Sequence, residues 1–135
     1  MMKLYVGCAL THASEEFRQE VESVKEALRK DSEVMDFLGL VDGTAGDVYE
    51  WDINNCVKNC NIFVAIVDYP SLGLGYEMAT AIEKPHKPTL ALAQTDSKVG
   101  RIIWGINQPH YRFSRYASLS EIPSMVQSFV EEQGA

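Results

Sequence analysis

The sequence predicts an α/β domain built on a parallel sheet, and three observations carry that prediction. Apolar runs of strand length, rich in Val, Ile and Phe, recur along the chain. Segments of helical period stand between them. The 135 residues are 46% hydrophobic and 23% charged, ordinary globular values for one domain able to bury a core without staples. Strands alternating with helices imply right-handed βαβ units and a sheet covered on both faces.

The elements follow in order. Lys3 to Ala9 reads as a short apolar strand. Ser14, ahead of Glu15 and Glu16, opens a helix to about Lys30 that places Phe17, Val21, Val24 and Leu28 on one stripe. Val34 to Phe37 is a second, short strand, and Gly39 to Gly46 is a loop with three glycines. Asp47 is the expected N-cap of a helix to about Asn59, with Val48, Ile53, Cys56, Val57 and Cys60 inward. Ile62 to Val67 is the central strand. After it, Pro70 cannot continue a ladder, and Gly73 and Gly75 precede a helix that carries Glu77 in or near its first turn. Thr89 to Ala93 is a fourth strand, Ser97 to Gly105 a short helix, His110 to Phe113 a weak fifth strand, and Ser118 to Glu132 the closing helix. No repeat or linker interrupts residues 1–135.

Five such strands fit a flavodoxin-like open sheet of order 2-1-3-4-5, with helices on both faces. The chain reverses direction between the first and third strands, and ligands bind in the crevice at their carboxyl ends. Two loops meet there, Ala9 to Ser14 and Asp68 to Gly75. Glu77 is expected at this crevice, ionised by the helix dipole. Asp68 ends the central strand and Asp52 lies on the helix leading to it. Carboxylates gathered at a crevice allow glycosidic chemistry, one attacking the anomeric carbon and another moving a proton. Ser71 and the N–H groups of Gly73 to Tyr76 are placed to hold an anion. Tyr5 offers an aromatic or hydroxyl contact from the first strand, and Thr11 and His12 lie in the crevice loop.

A net charge of −7 argues against a nucleic-acid polymer or an anionic membrane as partner. No apolar run is long enough to span a bilayer, and Met1 to Ala9 lacks the apolar core of a secretion signal. Three cysteines make no disulfide framework: Cys56 and Cys60, one helical turn apart, are expected to pack, and a cytoplasmic location is expected. Met78 stands where a dinucleotide fingerprint needs its third glycine, so no Rossmann cofactor is expected. His86 and His110 have no nearby ligand partners, so no metal is expected either.

The stretch PSLGLGYE, Pro70 to Glu77, behind the strand IFVAIVD, resembles the signature of the nucleoside 2-deoxyribosyltransferase superfamily. It is most similar to that of the 2'-deoxynucleoside 5'-phosphate N-hydrolase branch. The likeness continues through Tyr5, Asp52-Ile53 and the strand after Lys87-Pro88. It implies a cofactor-free enzyme, hydrolase before transferase, that cleaves the N-glycosidic bond of a (deoxy)nucleoside or its 5'-monophosphate. By that resemblance Glu77 is the nucleophile, Asp52 assists the leaving base, Ser71 contacts phosphate and Tyr5 lines the sugar pocket. Asp52 stands one residue further from the third strand than the family pattern has it, which requires a change of helical register. Cys8-Ala9-Leu10-Thr11 replaces the branch's Gly-Ser-Ile-Arg phosphate segment. Arg101 falls where the family uses a serine of a neighbouring subunit, so a homodimer or larger assembly is implied, with Trp104 and Ile102-Ile103 as candidate contacts. The competing reading is a nucleotide-binding or sensing module without turnover, because one fold hosts many functions.

Overall fold

The computed structural model describes residues 1–134. Its strands are β1 (Lys3–Cys8), β2 (Glu33–Met35), β3 (Ile62–Ile66), β4 (Thr89–Gln94) and β5 (Tyr111–Tyr116). The helices are α1 (Glu15–Leu28), α2 (Ala45–Tyr49), α3 (Leu72–Glu83), α4 (Arg101–Gly105) and α5 (Ile122–Gly134). The strands form one sheet in the order β2-β1-β3-β4-β5, every pair parallel. That is the flavodoxin-like order, with its switch point between β1 and β3.

Strand alternation divides the core into two layers. Leu4, Val6, Ile62, Val64, Ile66, Leu90 and Leu92 face α1 and α5, meeting Phe17, Val21, Leu28, Ile122, Val126 and Phe129. Tyr5, Phe63, Ala65, Ala91 and Ala93 face the other way, onto Ile53, Cys56, Val57, Leu74, Met78 and Ile82. On the second face Gly7, Ala65, Ala91 and Ala93 leave room beside the two rings, and α3 packs there. Gly7 marks the closest approach: a Cβ there would stand 3.0 Å from the Phe63 ring and 3.1 Å from Leu74.

Most helix starts follow their expected chemistry. Ser14 caps α1 by accepting from the Phe17 N–H, and Ser71 caps α3 by accepting from the Leu74 N–H. The helix before β3 departs from expectation. Its N-cap is Thr44, not Asp47, because the two form a reciprocal capping box in which the Asp47 carboxylate takes the Thr44 N–H. From Glu50 to Val57 the helix widens into a π-helical segment. The fifth strand is longer than its sequence suggested, pairing along Tyr111–Tyr116 at the sheet edge. Cys8, Cys56 and Cys60 are buried and free.

Gly7→Ala is expected to cost about 1–3 kcal/mol, since the added methyl must push either the Phe63 ring or Leu74 out of a packed position. Urea unfolding of the variant, with its midpoint and slope compared to the parent, checks this.

Candidate active site

A cavity of about 760 Å³ opens at the carboxyl ends of β1 and β3. Four segments line it: the end of β1 with Leu10 to His12, the stretch after β2 with Phe37 and Gly39, the face of α2 and the π segment, and the first turns of α3. Glu77 and Asp52 are its two carboxyl groups; Tyr5, Thr11, His12, Ser71 and Gly73 also line it.

Glu77 lies at the end of a hydrogen bond that spans the sheet and a helix. The Tyr5 hydroxyl donates to its Oε2 at 2.5 Å. Tyr5 is fully buried and Glu77 is 9% exposed. The position differs from the expected one. Glu77 is the sixth residue of α3, in its second turn, beyond the strongest reach of the dipole. Burial governs its ionisation instead and pushes the carboxyl up to about 8, with the Tyr5 bond opposing and the Asp52 charge adding to the rise. The expectation that the helix dipole sets the ionisation of Glu77 is therefore corrected: burial sets it, although the residue does line the cavity.

Asp52 reaches the same cavity from the π segment. A π turn inserts one residue into an α-helix and so shifts its register, and Asp52 lies within that segment. The Leu38 N–H donates to Asp52 Oδ1 at 3.0 Å. Burial raises this carboxyl above the usual aspartate range, and the Leu38 bond works against the rise.

Asp68 is elsewhere. Its Oδ1 accepts from the Gln94 N–H and the Ser97 hydroxyl, both at 2.6 Å, and its Oδ2 from the Tyr116 hydroxyl. These bonds turn the carboxylate toward β4 and β5, off the cavity lining, so it clamps the ends of three strands. Gly75 faces open space off the lining, and Arg101 begins α4, exposed and away from the cavity. The Ser71 hydroxyl lines the cavity while capping α3.

Phe37, Val48, Tyr49 and Ile53 form a wall that sequence reasoning did not assign to the site. The available signal was the helical spacing of Ala45, Val48, Tyr49 and Asp52, which puts all four on one face.

Fold and cavity together define an open-sheet α/β domain with one buried and one half-buried carboxyl group, Glu77 and Asp52, at its switch point. No family model matches the chain. A protein of Thermofilum pendens, named as a candidate 2'-deoxynucleoside 5'-phosphate N-hydrolase, is 33% identical over 96 residues, covering 67% of this chain and 66% of that protein. The chain thus spans just under two thirds of that relative's length. The solved structure of a Clostridium botulinum CMP N-glycosidase superposes with a TM-score of 0.68 at 18% identity, covering 93% of this chain and 98% of that one; this likeness speaks for the fold. The chain is thus similar in sequence to a protein named for 2'-deoxynucleoside 5'-phosphate N-hydrolysis, in keeping with the superfamily that its Pro70 to Glu77 stretch resembles. Among the described residues no helix is long and apolar enough to cross a membrane.

Two outcomes follow from this geometry. Asp68→Ala strands the Gln94 N–H and the Tyr116 hydroxyl, and is expected to destabilise the fold by about 2–3 kcal/mol in urea titration. The second concerns pH. Glu77 binds its proton more tightly folded than unfolded, where the usual value is 4.5. Its contribution to stability is full below about 4.5 and is lost as pH rises to about 8. Thermal melts across this window should show the parent losing stability relative to Glu77→Gln, which lacks the titration; parallel curves would contradict the buried, proton-holding glutamate.

Proposed function

We propose that this chain cleaves the N-glycosidic bond of a (deoxy)nucleoside or its 5'-monophosphate. The observation that carries the reading is the pairing of Glu77, fixed by Tyr5, with Asp52 across one cavity of nucleotide size. Both relatives bear names of N-glycosidic cleavage, which supports it.

Burial raises the proton affinity of both carboxyl groups, and the Asp52 charge adds to the rise at Glu77, so over a working range the pair carries one proton. Substrate brings positive charge to C1' as the glycosidic bond lengthens. That charge favours the ionised form of Glu77, which attacks C1', while the proton resides on Asp52 and passes to the leaving base. Water then attacks the glycosyl-enzyme; a second base in its place would give base exchange. Tyr5 holds the glutamate in position, and its burial raises its own hydroxyl far above the working range, so it remains a donor. Thr11, His12, Ser71 and the first N–H groups of α3 orient the sugar and its 5' end. In a homo-oligomer, Arg101 of a neighbouring copy would supply the guanidinium that the β1 loop lacks. The chemistry needs no cofactor.

A binding module without turnover is the second reading. The same raised Glu77 favours it, since a protonated carboxyl is a poor nucleophile at neutral pH.

Incubation with nucleosides and their 5'-monophosphates, with chromatography for free base, separates the two. Release of base that Glu77→Gln abolishes supports the enzyme; binding without release supports the module. Adding a second free base as acceptor distinguishes exchange from hydrolysis. For the enzyme, kcat/KM should be bell-shaped, falling at high pH near 8 as the last shared proton leaves, and at low pH as a second proton is gained. Asp52→Asn should lower kcat by roughly 10²–10⁴-fold and alter the alkaline limb. An unchanged profile in that variant would remove Asp52 from the proton path.

A further inference from the structure

Lys25 is 1% exposed, and no step of the proposed reaction uses it. Its ammonium meets Asp36 Oδ1 at 2.7 Å and Glu22 Oε2 at 2.9 Å. It also lies 4.4 Å from the centroid of the Phe37 ring. An ammonium taken out of water is costly unless it is paired, and here two carboxylates and an aromatic face pair it.

That arrangement braces one wall of the cavity. The Asp36 carboxylate is held by Lys25 and by Arg29 Nη2 at 2.7 Å. Its carbonyl accepts from Trp51 Nε1 at 2.6 Å. On the other side of Phe37, the Leu38 N–H is bound to Asp52. Phe37 is thereby fixed through both neighbours and through its own ring, directly beside the acid that faces the leaving base. Around it the lining side chains are Ala45, Val48, Tyr49 and Ile53. All four are apolar or aromatic, with the Tyr49 hydroxyl their one polar group, and Asp52 on the same helical stretch is the one carboxyl beside them.

We propose that Phe37, braced from behind by Lys25, is the wall on which the base stacks, and that this end of the cavity accepts purine and pyrimidine bases with little discrimination. The inference rests on the N-glycosidase reading, because the role given to Asp52 places the base there. Every base presents a π face, so stacking is tolerant of base identity. A site that reads a base through buried hydrogen-bonding groups rejects analogues by roughly 10⁴–10⁵, whereas an apolar wall separates ligands by about 10–200-fold.

The test uses the full chain carrying Glu77→Gln, so that nothing is turned over. Calorimetric titration with adenosine, guanosine, cytidine and uridine and their 2'-deoxy forms is expected to give affinities within about 200-fold of one another. Adding Phe37→Leu should weaken all of them together, by about 5- to 100-fold, while the melting temperature shows the domain still folded. Lys25→Met, which leaves the ring unbraced, should weaken all in the same direction by less. One base preferred over the rest by more than about 10³-fold overturns the proposal. So does a Phe37→Leu variant that binds every nucleoside as before, or a parent that binds none. Even binding through Phe37 with no base released by the parent enzyme would keep the stacking wall and remove the glycosidase instead.

Discussion

The bond from the Tyr5 hydroxyl to the Glu77 carboxyl is the constraint around which the site is arranged. It joins the middle of the sheet to the second turn of α3, and both partners are buried. A carboxyl in that position has lost its water and keeps one strong donor, so its orientation is set before any ligand arrives. The same dry surroundings that fix it also raise its proton affinity. Positioning and ionisation are thus opposed, and the second carboxyl, Asp52, is the group through which the proposed reaction resolves the opposition.

Placing that pair depends on two features of the backbone. Gly7 and the alanines of β3 and β4 let α3 settle onto the sheet, which sets the depth of Glu77. The π segment turns Asp52 inward without moving the buried residues Ile53, Cys56 and Val57 off the core. Outside the cavity, Asp68 gathers Gln94, Ser97 and Tyr116, so the strand ends that frame the site are tied to one another.

Much of this was legible in the sequence. The alternation of apolar strands with amphipathic helices gave the sheet order, because parallel crossovers admit few arrangements. The position of Glu77 at the switch point is legible in the turn that precedes its helix, that of Tyr5 and Asp52 through the family resemblance, and all three line the cavity. Asp68 was misplaced because strand position tells where a residue sits, not which donors compete for its side chain. Distance from the helix start is what a sequence shows of Glu77, whereas its burial beside Tyr5 decides its proton affinity. Thr44 and Asp47 both suit the N-cap by residue type, and only the reciprocal bonds between them separate the cap from its partner. The wall around Phe37 was hidden by its composition: apolar side chains read as core until a cavity is seen beside them.

At the far rim of the sheet, β5 leaves one side of its backbone without a neighbouring strand. Open edges of this kind invite pairing with other chains. Here the rim carries two guanidinium groups. Arg112 is bound to Glu132 of α5 at 2.5 Å, and Arg115 reaches the carbonyls of Gln94 and Ser97. An incoming strand would have to displace these charges or bury them. The margin is therefore guarded against fibrillar association by arginines that also tie β5 to α5 and to the turn after β4.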